Sequence, residues 1–233
     1  IPFELNDDTL RDGLQSPSVS DPPLETKIRM LRLQAELGIT TAGIGLPGAG
    51  PRAFAHSAAL ARTVAQEHLS IEVNCAARTH RADLEPVAEI ASRTGVAPLA
   101  YMFIGASPIR RFAEGWDLDF ILATTESALR FALDQGLEVA LTLEDTVRTS
   151  PEDLERIFGL GLDMGVRRLV ICDTVGASNP RGVRRIVEWT RALTLRTGSE
   201  VALDWHGHSD RGLALANSLA AWDAGVTRIH GTC

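Results

Sequence analysis

Short apolar runs alternate with longer amphipathic stretches along the chain. The runs are rich in Val, Ile, Leu and Ala and have the length of buried strands, whereas the stretches between them carry apolar positions at helical spacing. Eight runs are predicted as strands: Phe3–Leu10, Ile39–Gly45, Ile71–Ala77, Leu99–Gly105, Glu138–Glu144, Arg168–Thr174, Val201–His206 and Arg228–Cys233.

Start and stop signals place the helices between these strands. Asp21-Pro22-Pro23 precedes a predicted helix over Leu24–Leu37, and Ser150 is the expected N-cap of another that includes Leu154–Met164. The expected C-caps are glycines that follow a helix and precede the next strand: Gly38, Gly95, Gly136, Gly165 and Gly225.

Eight strand-then-helix units, with crossovers long enough to return parallel, predict an α/β fold of the (β/α)₈ TIM-barrel type rather than an open doubly wound sheet. The dinucleotide fingerprint Gly-x-Gly-x-x-Gly is not matched, because Gly43-Ile44-Gly45 and Gly48-Ala49-Gly50 lack its spacing. A length of 233 residues with 45% hydrophobic residues predicts one domain, residues 1–233.

The charge of the chain limits the classes of partner that it can bind, and its cysteines indicate the compartment. The formal net charge of −7 and the lack of a Lys/Arg run argue against nucleic acid or an anionic membrane surface. No apolar stretch reaches the length of a membrane span, and we expect no basic-plus-apolar leader before the first strand. The cysteines Cys75, Cys172 and Cys233 are predicted to be reduced core residues of a cytoplasmic protein. We expect small-molecule partners and a homodimer or larger homo-oligomer.

The polar residues at the strand ends suggest a site, since chemistry in such barrels lies at the C-terminal ends of the strands. His206 and His208 would share one face about 6–7 Å apart, within reach of one metal ion. The structural alternative is a pair of hydrogen-bonded histidines. Arg11 and Asp12 are predicted at the end of the first strand. Further strand-end residues are Arg78, Ser107, Arg110, Glu144, Asp145, Asp173 and Thr174. Helix and loop caps would account for Ser107, Asp145 and Asp173.

Two motifs carry a resemblance to a known family. Asp7-x-Thr9-Leu10-Arg11-Asp12-Gly13-x-Gln15 and His206-x-His208-x-Asp210-x-Gly212 resemble the metal-dependent barrels that include 2-isopropylmalate, homocitrate and citramalate synthases and 3-hydroxy-3-methylglutaryl-CoA lyase. The resemblance continues through Phe103–Pro108 and Asp173–Gly176. It implies that Asp12, His206 and His208 bind a divalent metal and that Arg11 is catalytic.

The branches of this family are distinguished by shorter segments. Glu144-Asp145-Thr146-Val147-Arg148 is similar to the condensing enzymes, whereas Arg11-Asp12-Gly13-Leu14-Gln15 is spelled as in the lyase. The chain departs from the synthase pattern at Gly43, where a glutamate is usual, at Asp8, where a threonine is usual, and at Ser209. Family members continue beyond the position of Cys233, so we expect a longer chain whose eighth helix and C-terminal region are missing here.

One carboxylate and two imidazoles suit Zn²⁺, Mn²⁺, Co²⁺ or Mg²⁺ with positions left for a 2-oxo acid. The ion would polarise the keto carbonyl, and Arg11 would stabilise the developing alkoxide. Glu144 is a base or supports one. Arg78, Thr174 and Gln15 are candidates for holding substrate, although Arg78 and Thr174 have structural alternatives. His56, His68 and His80 are assigned no role, and His230 is expected to be packed.

The expected reaction is a Claisen-type condensation of an acyl-CoA, acetyl-CoA in the first instance, with a 2-oxo acid, giving a 2-hydroxy dicarboxylate and CoA. Two alternatives stay open. The first is cleavage of a carbon–carbon bond in the manner of the lyase or an aldolase. The second is a metal-binding barrel without turnover.

Overall fold

The computed structural model describes residues 3–198 and 200–233. Its eight strands form a closed parallel barrel in chain order, which confirms the predicted fold class. The strands are β1 (Glu4–Asp7), β2 (Thr41–Gly43), β3 (Glu72–Arg78), β4 (Leu99–Gly105), β5 (Val139–Glu144), β6 (Arg168–Asp173), β7 (Ala202–Gly207) and β8 (Arg228–Gly231).

The helices follow the strands as the sequence pattern predicts. They are α1 (Leu24–Glu36), α2 (Pro51–Glu67), α3 (Arg81–Thr94), α4 (Pro108–Glu114), α5 (Leu118–Asp134), α6 (Pro151–Asp163), α7 (Pro180–Leu195) and α8 (Ala214–Ala224). Two helices, α4 and α5, follow β4, whereas no helix follows β8 in the part of the chain described. The described residues therefore contain eight α-helices.

The predicted helix caps, one N-cap and five C-terminal glycines, have the expected geometry. The Ser150 hydroxyl accepts a hydrogen bond from the Asp153 amide at 3.2 Å, which satisfies an otherwise unpaired donor at the start of α6. The five glycines predicted to end helices, Gly38, Gly95, Gly136, Gly165 and Gly225, all have φ between 72° and 108°. This left-handed conformation reverses the chain out of a helix and is strained for residues with a Cβ atom.

The first strand is shorter than predicted. It ends at Asp7 rather than Leu10, because the Asp8 carbonyl accepts hydrogen bonds from the amides of Arg11, Asp12 and Gly13. These bonds turn the chain into a short 3₁₀ helix over Gly13–Gln15. Arg11 and Asp12 therefore lie on the loop after β1, and placing them at the end of a strand was wrong.

Contacts between Cα atoms divide the chain into two compact units. One comprises Phe3, Met102–Arg130 and Val139–Ile229. Its core contains the fully buried Trp205, and the β6–β7 register sets Cys172 beside His206. This register is what fixes the position of the paired histidines along the sheet.

The other unit comprises Glu4–Tyr101, Phe131–Glu138 and His230–Cys233. Strands β1 and β2 pair in parallel, with Asp7 opposite Ala42. Below the end of β1, the buried Asn6 side-chain oxygen accepts hydrogen bonds from Asn74 at 2.6 Å and Thr41 at 3.1 Å. These two hydrogen bonds link β1 to β2 and β3 and help to fix the register of the three strands.

The cysteines are free, as expected, but they are not all in the core. Cys75 and Cys172 are buried, whereas Cys233 is exposed, so the prediction of a core position was wrong for Cys233. Over the described residues, no helix combines the length and apolar character that crossing a bilayer requires.

Candidate metal centre and active site

His206 and His208 lie at the end of β7 and bring their rings together. Their Nε2 atoms are 3.2 Å apart and their ring centroids 5.1 Å apart, with the ring planes at 65°. The alternation of side chains along a strand puts residues two apart on one face, which explains the meeting. The rings are closer than the 6–7 Å expected from strand spacing alone.

Two groups of side chains in the described residues each hold three candidate donor atoms within 4.8 Å of one another. One group is Asp12, His206 and His208, the set predicted from the sequence. One carboxylate oxygen and two imidazole nitrogens form a donor set that divalent transition ions accept, with coordination positions left open. The residues therefore fit the metal that the resemblance implies.

The second group is Asp8, His206 and His230. The sequence predicts a packed His230, and Asp8 is only a departure from the synthase pattern. His230 is buried, its Nδ1 lies 3.9 Å from the Asp8 carboxylate, and its ring meets Tyr101 edge-on at 5.2 Å. The position of His230 near the C-terminal end of β8 was the signal that could have identified it, since chemistry gathers at that end of the strands.

Arg11 is held by two carboxylates. Its Nη1 lies 3.0 Å from Asp12 Oδ1, and its Nη2 lies 2.5 Å from Asp8 Oδ2. Asp8 is only 3% exposed, and the Arg11 side chain is about one-fifth exposed. The predicted catalytic arginine is therefore fixed directly beside a predicted metal ligand.

A cavity of about 450 Å³ adjoins Arg11 and Gln15 and is bounded by the start of α2. Lys27 and Arg52 both pair with Asp21 on its wall, at 2.5 and 2.9 Å. The hydrogen bond from Lys27 lowers the pKa of Asp21, while desolvation together with the charges of Lys27 and Arg52 lowers the pKa of His56. Two cations around one carboxylate give this wall a positive balance, which favours an anionic group.

Arg78 ends β3 and forms a bidentate ion pair with Asp83. Its Nε and Nη2 donate to the two Asp83 oxygens at 2.7 and 2.8 Å, and its backbone amide adds a third bond at 3.1 Å. Burial raises the pKa of Asp83, but the hydrogen bonds and charge of Arg78 outweigh this and leave the pKa below its usual value. Asp83 is thus the partner that a structural role of Arg78 requires, and the role of Arg78 in holding substrate stays a prediction.

Glu144 and Thr174 lie at the ends of β5 and β6. The Glu144 carboxylate is 3.9 Å from Arg110 Nε. The Thr174 hydroxyl accepts a hydrogen bond from the Asp145 amide at 2.8 Å, which ties the two strand ends together. Asp145 in turn binds Arg148 through both carboxylate oxygens, at 2.7 and 2.6 Å. These bonds close the turn from Asp145 to Arg148 that follows Glu144.

Several polar residues have the capping roles offered as alternatives. The Ser107 hydroxyl accepts from the Arg110 amide at the start of α4, and the Asp173 carboxylate accepts from the amides of Ala177 and Ser178. His80, for which the sequence predicts no role, accepts a hydrogen bond from the Ala82 amide as the N-cap of α3. These groups build the loops around the strand ends.

Comparison with known proteins agrees with these features. The chain is 33% identical to the homocitrate synthase AksA of Methanopyrus kandleri and to the 2-isopropylmalate synthase of Heliobacterium modesticaldum, over 97% of its length in both cases. It spans about half the length of the curated relatives it matches, 53% and 43% in these two cases. Its fold matches the hydroxymethylglutaryl-CoA lyase of Pseudomonas aeruginosa with a TM-score of 0.79 at 20% identity, covering 99% of this chain and 76% of that one.

The family comparison covers almost the whole sequence. The HMGL-like family model matches residues 2–233, which include both end motifs and every predicted metal ligand. The two relatives named above are synthases, and the structure with the matching fold is a lyase. The chain belongs to the HMGL-like family.

Proposed function

We propose that this protein catalyses the metal-dependent condensation of an acyl-CoA, acetyl-CoA in the first instance, with a 2-oxo acid. The observation that carries the proposal is the grouping of Asp12, His206 and His208, with the Arg11 guanidinium paired to that same Asp12. The synthase names of relatives at 33% identity support a transferase and a biosynthetic reaction.

Asp12, His206 and His208 would hold the divalent ion, which is Zn²⁺, Mn²⁺, Co²⁺ or Mg²⁺ by the chemistry of the donors. When bound, such an ion supplies Lewis-acid polarisation of a carbonyl. Arg11 acts on the same carbonyl oxygen, where its charge stabilises the negative charge that develops during attack. A donor or cation aimed at such an oxygen commonly lowers the barrier by about 3 kcal/mol.

The remaining residues remove the proton from the acyl methyl group and bind the carboxylate of the 2-oxo acid. Glu144 accepts a proton from the acyl methyl group, directly or through a base that completes the site. The resulting carbanion forms the new carbon–carbon bond to the 2-oxo carbon, and water then cleaves the thioester to give a 2-hydroxy dicarboxylate and CoA. Arg78 and Thr174 hold the substrate carboxylate, and Gln15 contacts substrate in the cavity beside Arg11.

A thiol-release assay tests this reaction. Acetyl-CoA is incubated with the protein and a panel of 2-oxo acids, with and without each divalent metal, and free CoA is measured. We expect release only when one oxo acid and a metal are both present. Release that is indifferent to every oxo acid tried would refute the proposal. Analytical ultracentrifugation of the same sample tests the proposed homodimer or larger homo-oligomer.

A second candidate is cleavage of a 3-hydroxyacyl-CoA, favoured by the lyase-like spelling of Arg11–Gln15. Supplying 3-hydroxy-3-methylglutaryl-CoA without an acceptor separates the two directions, because only a lyase releases acetyl-CoA from it. A third outcome, metal binding without turnover on either substrate class, would identify a non-catalytic barrel.

A further inference from the structure

Asp8 and Gly43 meet at the point where β1 and β2 end. The register pairs Asp7 with Ala42, so one step further along the chain brings Asp8 beside Gly43. A Cβ atom built on Gly43 would lie 2.1 Å from Asp8 Oδ1 and 3.4 Å from the Arg11 Cβ. Real side chains never approach so closely, so the carboxylate of Asp8 occupies the space that any side chain at position 43 would need.

The glycine is required here by space and not by backbone conformation. Gly43 is not one of the glycines with a left-handed φ. The Asp8 side chain, moreover, has little freedom to move aside, because it is 3% exposed and its other oxygen is paired with Arg11 Nη2 at 2.5 Å. A residue larger than glycine would have to displace a buried, paired carboxylate.

The Asp8 carboxylate faces cationic or polarisable groups from two elements. Arg11 approaches it from the loop after β1, and His230 Nδ1 lies 3.9 Å away on β8. The same guanidinium reaches Asp12 with its other terminal nitrogen. Asp8 and Asp12 therefore both contact the Arg11 guanidinium, and the loss of Asp8 would remove one of the two carboxylates that orient it.

We infer that Gly43 and Asp8 are a matched pair: the missing side chain on β2 makes room for a carboxylate from the residue that directly follows β1, and this carboxylate positions Arg11 for the reaction. The two departures from the synthase pattern are thus one change, in which the carboxylate is supplied from the end of the first β-segment, just after β1, instead of from β2. Asp8 is a positioning residue that acts through Arg11. The activity part of this inference rests on the proposed function, whereas the pairing itself does not.

A thermal-unfolding cycle tests the pairing without reference to any activity. We expect Gly43→Ala to lower the Tm by about 2–4 °C or more, as overpacking does in a domain of this size. In an Asp8→Thr background the same change should cost much less, because the carboxylate is gone. Gly159→Ala is the matched control, since nothing lies within 4 Å of a Cβ at that helical position. Its effect should be the same in both backgrounds. Equal effects of Gly43→Ala in the two backgrounds would overturn the inference.

A second experiment tests the positioning role through turnover. Asp8→Asn keeps the shape of the side chain but removes its charge, and we expect kcat to fall about tenfold or more while KM for the oxo acid changes little. Asp8→Thr combined with Gly43→Glu returns the carboxylate to β2 and should recover at least tenfold of the kcat lost in Asp8→Thr. Wild-type kcat in Asp8→Asn, or no recovery in the folded double variant, would overturn the role. Absence of turnover in the unsubstituted protein would refute the proposed function, and the unfolding cycle would still decide the pairing.

Discussion

The Nε2 atoms of His206 and His208 lie 3.2 Å apart at the end of β7. At this distance one neutral imidazole can donate a hydrogen bond to the other, and the same two atoms can instead direct lone pairs toward one ion. The pair is therefore satisfied in either state. With Asp12 in the same group of donors, it would provide three ligands for the proposed metal and leave positions for substrate oxygens.

Metal binding should stabilise the folded protein through these histidines. An ion present at about 100 times its Kd adds about 2.7 kcal/mol to the free energy of unfolding, which corresponds to a rise in Tm of about 5–10 °C for a chain of this size. His208→Ala should abolish the rise measured by thermal shift with Zn²⁺, Mn²⁺, Co²⁺ or Mg²⁺. His68→Asn is the control, because His68 is an exposed helix-ending residue with φ of 51°, which Asn tolerates. An undiminished shift in His208→Ala would contradict the site.

Arg11 should not be replaceable by lysine. The guanidinium reaches Asp8 and Asp12 at once with two nitrogens, which a single ammonium group cannot reproduce. We expect Arg11→Lys to lower kcat about 100-fold in the thiol-release assay, with the metal-induced rise in Tm retained. Arg32→Lys, at the exposed pair with Glu67, should leave kcat unchanged. Wild-type turnover in Arg11→Lys would show that Arg11 is only a salt-bridge partner.

The Arg78–Asp83 pair should make a pH-dependent contribution to stability. The pKa of Asp83 in the folded state lies below its ordinary value of 3.8. The contribution is therefore fully present above pH 3.8 and is lost as the pH falls through the lower, folded-state pKa. We expect Asp83→Asn to cost about 1–3 kcal/mol in urea unfolding at pH 7. The difference from the unsubstituted protein should shrink once the pH drops below 3.8. A difference that does not change with pH would assign the cost to packing rather than to the ion pair.

The three cysteines should differ in reactivity. Burial raises the pKa of the Cys75 thiol far above its ordinary value and leaves it without thiolate at neutral pH. Cys172 is also buried, whereas Cys233 is exposed and lies 3.2 Å from the Thr9 hydroxyl. A colorimetric thiol reagent should label one cysteine rapidly in the native protein and three after unfolding. Cys233→Ser should remove the rapid phase, and rapid labelling that survives this substitution would place a second thiol at the surface.

Local pattern was sufficient for the strand and helix order. Apolar runs, N-caps such as Ser150 and the five helix-ending glycines each depend on residues close in sequence, and the structure has them where they were expected. The His-x-His spacing was equally readable, because strand geometry alone places both rings on one face. The end of β1 could not be predicted from the local pattern. Three amides donate to the Asp8 carbonyl and end the strand, although the apolar pattern continues to Leu10.

The sequence by itself determined the barrel, the family resemblance and the predicted ligands Asp12, His206 and His208, because these follow from periodicity and from motifs of a few residues. Only the tertiary structure decided that Arg78 is paired with Asp83, that His80 caps α3, and that Asp8 fills the space above Gly43 beside Arg11 and His230. The physical reason is that the local contacts of Arg78 and His80 depend on side-chain direction, whereas the contacts of Asp8 with Gly43 and His230 depend on how the strands are brought together. Residues such as Asp8 and His230 are 222 positions apart in the sequence, and only the closed fold brings them within 4 Å.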